Sequence, residues 1–470
     1  MKVVYSQDKH YLLKHMNNPS TITNTLATES IGKLICKYSL PAIVGTVVMS
    51  LYNIVDRIFI GQGVGPLAIS GLALTFPFMI LLMAFGMLIG AGAASRISIT
   101  LGQNNKEKAE KILGNAFTLT FIISGSVIIL SYIFMHDLLT LFGGTAKTIK
   151  YAEDFMRIII PGGIFSALNY GFNNIMRASG YPQKAMYTMI ICAVLNAILA
   201  PIFIFGFHWG IQGAAMATNI TYFVGTIWVL QHFIQPKSNI KFHKKNFRLE
   251  IDIVKSILSI GMSPFSMQLA TCLVVIIVNT TLIHYGGDMA IGAYGIINSI
   301  NTLIVMIIIG LNQGTQPIVG FSYGAKLYGR MFKTLKYAAI TGSILTTIGF
   351  IIGMFLPTFI TSWFTKDIEL KTIAAHALRI SVIMFPLIGS QIVITNFFQS
   401  IGKAKISIFL SLTRQFLFLI PCLLLLPRFY GLNGAWASMP VSDGLSAIVA
   451  SITIFYFFRN FKRSKAEMAQ

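Results

Sequence analysis

The chain has 470 residues, 55% of them hydrophobic and only 11% charged, with a formal net charge of +21. Soluble domains hold about 25% charged residues, so the composition excludes an ordinary water-soluble globule and places the chain in a bilayer. A net charge of this size would suggest nucleic acid in a soluble chain, but the positions of the basic residues decide against nucleic acid here.

Residues 1–33 hold Lys2, Lys9 and Lys14 and a Ser/Thr/Asn-rich run with no uninterrupted apolar core, which reads as a cytoplasmic tail and not a cleaved signal peptide. From Leu34 to Phe457 apolar stretches follow one another, each near the roughly 20 residues that a membrane helix needs. They predict twelve spans: 34–60, 67–92, 111–135, 155–177, 184–206, 210–233, 257–284, 290–312, 334–357, 373–399, 405–427 and 431–457. The expected fold is an all-α polytopic membrane protein.

Basic residues gather before the odd-numbered spans: Arg96, Lys106, Lys108 and Lys111; Arg177 and Lys184; Lys237, Lys241, Lys244, Lys245, Arg248 and Lys255; Lys326, Arg330, Lys333 and Lys336; Lys403 and Lys405. The alternate loops hold only Lys147, Lys150, Lys366, Lys371 and Arg428. This asymmetry is the positive-inside signature. It predicts a multi-pass protein of the inner (plasma) membrane with both termini cytoplasmic, and it assigns the charge to topology.

The polar run QPKSNIKFHKKNFRLEID separates six spans from six, and at a shift of about 222 residues the sides superpose. Gly102 then meets Gly324, Lys111 meets Lys333, Arg157 meets Arg379, Asn174 meets Asn396 and Gly180 meets Gly402. The expected organisation is an N-lobe (34–235), a cytoplasmic linker (236–256), a C-lobe (257–457) and a cytoplasmic tail (458–470). Six crossings return the chain to its starting side, so the repeats are parallel, an arrangement that recurs in secondary transporters with the substrate path between the halves.

Inside the spans the best ionisable candidate is Asp56, with Tyr52 four residues earlier on the same helical face. A carboxyl inside a span is a functional hypothesis by default: protonated it is cheap to bury, and ionised it holds a cation. The competing reading is a static Asp56–Arg57 pair at the interface. Asn173 and Asn174 on span 4, Asn196 on span 5 before Pro201, and Thr218 on span 6 are oxygen donors of the kind hard cations prefer, or packing polar groups. Met79, Met83 and Met87 share one face of span 2 and suit a wall for apolar cargo. In the second half the repeat puts Asn279 opposite Asp56, while Asp443 is the other acid well inside a span, with Gln391 on span 10. These three form a candidate second-lobe site; Arg157, Arg379 and Arg414 read as anchors near helix ends.

Other chemistry finds no support. The four cysteines (Cys36, Cys192, Cys272, Cys422) show no paired spacing, GxxxxGK[ST] is missing, and the histidines are scattered. GFSYG at 320–324 matches the GxSxG pattern but has no strand before it. Nothing points to an enzyme or a resident cofactor.

LYNIVDRIFIG, NNIMRASGYPQKA, LNAILAPIFIFG followed by GIQGAAMAT, and GGDMAIGAYGI together resemble the multidrug and toxic compound extrusion (MATE) family, in the manner of its DinF/MepA-like bacterial branch. The superfamily also contains lipid-linked oligosaccharide flippases. The resemblance covers residues 34–457 and implies two six-helix lobes in a V. It implies export of cationic or amphipathic small molecules in exchange for Na+ or H+, by a protein expected to be a monomer. A flippase for a lipid-linked precursor is the alternative. The family's helix 1 aspartate and tyrosine fall on Asp56 and Tyr52, its helix 5 asparagine on Asn196 and its helix 6 threonine on Thr218. Its helix 4 asparagine falls on Asn173, with Asn174 beside it. Na+ would sit at Asp56, Asn196 and Thr218. Leu199-Ala200-Pro201 departs from the branch's Leu-Asp-Pro, which leaves Asp56 as the sole carboxylate of the first-lobe site.

Overall fold

The computed structural model describes residues 21–64, 66–141, 148–365 and 367–467. Lys2, Lys9, Lys14, Lys147 and Lys366 of the charge pattern lie outside them, as does the side chain of Arg57. Among the described residues there is no strand.

Twelve rods run along the described residues. In the first half they are α1 (Ile31–Gly63), α2 (Pro66–Gly102), α3 (Lys106–Ile133), α4 (Ile149–Ala178), α5 (Pro182–Pro201, continued by a π segment, Ile202–Gly206) and α6 (Gly210–Ile234). The continuous helix Ile251–Gly324 is two rods, α7 (251–286) and α8 (288–324), because Gly287 breaks it at φ 63°, ψ −162°. Only a residue without Cβ adopts that geometry at little cost. Both arms return to α2: a side chain at Gly92 would strike the Ile257 carbonyl, and one at Gly324 the Ile99 carbonyl, so the break is a hairpin. There follow α9 (Tyr328–Phe355) and α10 (Ile368–Ser381 and Phe385–Ser400, bent by 56°). Next come α11 (Ala404–Leu412, a π segment Thr413–Leu419, and on to 430) and α12 (432–467), separated by Gly431 at φ 55°, ψ −137°.

Burial is inverted relative to a protein in water. Ser95, Ser98, Asn115, Thr188, Thr334 and Ser438 are enclosed, while Ile340, Ile344 and Ile348 of α9 and Ile122 and Ile129 of α3 face outward. At the turn from α5 to α6, Phe203, Phe207 and Trp209 stack, with Phe207 and Trp209 exposed, as interfacial aromatics do. A groove of about 460 Å³ on α9, lined by Ile340, Ser343, Ile344 and Thr347, belongs to this outer apolar face.

The helices overrun the hydropathy-based spans where the basic residues sit, here called the basic end. α2 continues to Gly102 instead of residue 92, so Arg96 lies within it; α8 continues to Gly324 instead of 312; α7 begins at 251 instead of 257. Hydropathy marks where apolar surface is required, and these ends are held by packing against other helices. At Gly102 a side chain would strike the Phe321 carbonyl of α8.

These ends tie the halves together. Ser39 of α1 donates to the Leu311 carbonyl of α8 (3.2 Å), Thr46 to the Met306 carbonyl (3.0 Å), and Gln316 of α8 to Ser95 Oγ of α2 (2.7 Å). A Cβ on Gly261 of α7 would collide with the Leu88 carbonyl of α2, and one on Gly314 of α8 with Ser39 Cα. The inter-half hydrogen bonds and glycine approaches named above lie between the basic end and about mid-helix, where Phe85 and Phe265 meet. Gly86 and Gly90 serve a contact within the first half, lying against Ala167 and Gly171 of α4.

The connection between the halves is docked. Asn115 of α3 donates to the carbonyls of Asn246 and Arg248 and accepts from Glu250 N, and Thr118 donates to Phe247. Phe117, Phe172, Phe233, Phe242 and Phe247 stack beneath it. At the other end of the chain Arg330 of α9 donates to the carbonyls of Leu26 and Glu29, binding the short helix Thr21–Thr28 to the second half.

Candidate functional site

α1 presents Tyr52 and Asp56 one turn apart. Both are half-buried, and Asp56 Oδ1 is enclosed. The Tyr52 phenol lies beside Asp56 and reaches the Thr218 side chain of α6. Thr218 donates to the Ala214 carbonyl one turn back (3.0 Å) and accepts from Asn196 Nδ2 of α5 (3.3 Å). Asn196, Thr218, Tyr52 and Asp56 bring one carboxylate and three neutral oxygens to this part of the first half. That set fits a hard monovalent cation or a proton. Pro201 and the π segment that follows displace the end of α5 from regular pairing, as π segments at functional sites do.

Asn173 and Asn174 are placed differently. Asn173 Oδ1 accepts from Arg177 Nη2 (2.8 Å) and Asn174 Oδ1 from Arg177 Nη1 (3.0 Å), while their Nδ2 atoms donate to the Ala185 and Tyr170 carbonyls. Their amide oxygens hold Arg177, which is buried and does not lie in an open basic loop as its place in the charge pattern suggested.

Sequence reasoning missed the aromatic neighbours of Tyr52 on α4 and α6. Tyr170 of α4 and Tyr222 of α6 meet with ring centroids 6.0 Å apart, and both lie close to Tyr52. Asn169 donates to Cys192 Sγ of α5 (3.3 Å), whose thiol donates to the Thr221 carbonyl (3.7 Å). Cys192 is therefore part of this polar cluster and not an apolar filler. The available signal was the coincidence of hydroxyls and an amide at mid-span in α4, α5 and α6. Met79, Met83 and Met87 lie on one face of α2, all half-buried, and Met79 packs on the Phe78–Leu82 cluster.

In the second half Arg414 is not a helix-end anchor. It lies in the π segment of α11, and its Nε donates to Asp443 Oδ1 of α12 at 2.6 Å. The span edges read from hydropathy could not reveal a guanidinium turned inward by an extra residue in the helix. Asn279 is half-buried on α7 and Gln391 buried on α10; among the described residues no hydrogen bond links either to Asp443. No cluster of three or more His, Cys, Asp or Glu able to hold a metal occurs among them.

Comparison with known proteins agrees with this architecture. The chain is 24% identical over 442 residues to the multidrug export protein MepA of Staphylococcus haemolyticus, covering 94% of this chain and 97% of that protein. The Staphylococcus aureus protein of the same name is 26% identical over 431 residues, covering 90% and 94%. The MATE multidrug transporter DinF-BH, solved as a ligand complex, superposes with a TM-score of 0.87 at 36% identity, covering 94% of this chain and 98% of that one. An outward-facing MATE transporter of the MOP superfamily superposes with a TM-score of 0.90 at 22% identity, covering 95% and 100%. The MatE family profile matches residues 41–202 and again 264–424, the same duplication that the sequence repeat and the two sets of six rods display, and the chain belongs to the MatE family of membrane transporters.

Proposed function

We propose that this transporter exports small cationic or amphipathic organic molecules from the cell in exchange for Na+ or H+, moving its halves against one another across the inner membrane. The observation that carries this reading is Asp56: a half-buried carboxylate in a membrane helix, set beside Tyr52, Thr218 and Asn196. Such a group is costly to keep ionised in a bilayer and is stabilised by whichever cation reaches it. A proton or Na+ on Asp56 removes the charge that would hold a cationic cargo, so ion and cargo compete, and this competition is the elementary requirement of exchange. The charge bias places the basic end in the cytoplasm. On that reading the seal at the basic end closes the inner side, and the structure is a state that loads ions from outside and releases cargo there. Relatives named as multidrug exporters support the cargo class. The absence of a nucleotide-binding motif in the sequence leaves an ion gradient as the drive.

The test uses the purified full chain as a monomer in liposomes, with export of a fluorescent organic cation followed under an imposed Na+ or H+ gradient. Wild type should export under one of the two gradients, and Asp56→Asn should lose gradient-driven export and bind the cationic dye more weakly. Equal export by the variant would make Asp56 a structural residue and overturn the reading.

A further inference from the structure

Arg414 and Asp443 form an ion pair within the second half, and their geometry is specific. Only Nε of Arg414 is engaged, donating to Asp443 Oδ1; among the described residues Nη1 and Nη2 make no hydrogen bond. The Asp443 side chain is 5% exposed, whereas Arg414 keeps 26%. That exposure is not toward lipid. Arg414 continues the face of α11 that carries Ser407 and Ser411, both bonded to Ser263 of α7 (2.7 and 3.0 Å), and this face points into the second half. Phe409 and Phe416 form the outer face of the same helix.

The repeat says where this interior position is. At the shift that pairs Gly180 with Gly402, Arg414 takes the place of Cys192; at the shift that pairs the glycines before GIQG and GLNG, Asp443 takes the place of Tyr222. In the first half Cys192 and Tyr222 are neighbours around Tyr52, next to Asp56. The two halves therefore carry polar clusters of different chemistry at corresponding places: a carboxylate among neutral oxygens in one, and in the other a guanidinium paired through Nε alone.

We propose that the Arg414–Asp443 pair is a cargo subsite for an anionic group, a carboxylate or sulfonate. Asp443 fixes the guanidinium plane and lowers the cost of keeping it in the membrane. The free edge of the fork is the edge that pairs bidentately with a carboxylate. Asp443 also limits the affinity, because it already supplies one negative charge, and limited affinity is what a carrier that must release its cargo requires. The subsite deepens the antiporter reading and rests on it.

The test compares two dyes, a rhodamine ethyl ester, which is a cation, and its free acid, which is a zwitterion, binding to the full chain in lipid nanodiscs by fluorescence polarisation. The paired variant Arg414→Gln with Asp443→Asn keeps a donor at the position of Nε and an acceptor facing it, without either charge. It should weaken the acid about tenfold and leave the ester within about twofold. Asp443→Asn alone removes the competing carboxylate and should tighten the acid several-fold, a gain that a merely structural pair would not produce. Equal changes for both dyes, or no gain in Asp443→Asn, would make the pair a clamp between α11 and α12 and overturn the subsite. If wild type binds both dyes but drives neither across liposomes under any ion gradient, the antiporter reading fails while the binding comparison still decides the subsite.

Discussion

Asp56 is one side chain among many apolar ones, and that isolation made it legible: a carboxylate in a run such as LYNIVDRIFIG has no packing reason to be there. Tyr52 followed from helical spacing. Thr218 and Asn196 were suggested as oxygen donors, and the structure brings them together through one shared hydroxyl. Removing that oxygen tests its role. Thr218→Ala deletes an acceptor for Asn196 and a neighbour of Tyr52, which at about 1 kcal/mol per hydrogen bond should weaken coupling-ion affinity roughly fivefold. Ion-induced quenching of Tyr and Trp fluorescence reads this directly, and an unchanged ion dependence would take Thr218 out of the site. Asn173 and Asn174 were equally visible as donors. Nothing in the local pattern revealed that Arg177 folds inward to take their oxygens, since a basic residue next to a polar loop reads as exposed until the tertiary contacts are known.

At the level of elements, the twelve rods and their repeat were readable because both reduce to length and period. The kink at Gly287 fell where a loop was expected, and the one at Gly431 fell on the first residue of the last expected span. The π segments at Ile202–Gly206 and Thr413–Leu419 were not readable, because one extra residue per turn leaves no compositional trace. Nor was it clear which glycines serve close approach. Gly261→Ala puts a methyl carbon inside the van der Waals radius of the Leu88 carbonyl, and backbone cannot yield as a flexible side chain would. The basic-end contact of α7 with α2 should open in this variant, and a cysteine placed near Leu88 should become reactive to a water-soluble thiol reagent. Gly125→Ala on α3 has nothing within 4 Å of the new carbon and serves as the control. It should hold or raise thermal stability by up to about 1 kcal/mol, the helix preference of alanine over glycine.

For the whole molecule, the decisive arrangement is the junction of the halves at the basic end. Gln316 and Ser95 are 2.7 Å apart across it. Cysteines at both positions, in a chain without the four native ones, should cross-link on oxidation. The cross-linked protein should bind dye but not export it, and reduction should restore export; undiminished export while cross-linked would mean that the halves need not part there. The parallel repeat forecast two halves. It could not forecast which end they join, because that depends on side chains such as Ser39, Thr46 and Gln316, which look unremarkable singly.

The seal also decides where membrane voltage acts. A transmembrane potential falls mainly across the poorly conducting part of its path, worth about 2.3 kcal/mol per charge per 100 mV. Here that part is the tight packing from the basic end to Thr46 and Met306, and Asp56 lies ten residues beyond Thr46, about 15 Å along α1. On the proposed reading, an ion reaching Asp56 from the end opposite the seal crosses little of the field. Loading should be nearly indifferent to voltage, and the electrical work of each cycle should fall on the movement that carries Asp56 from one side of the seal to the other.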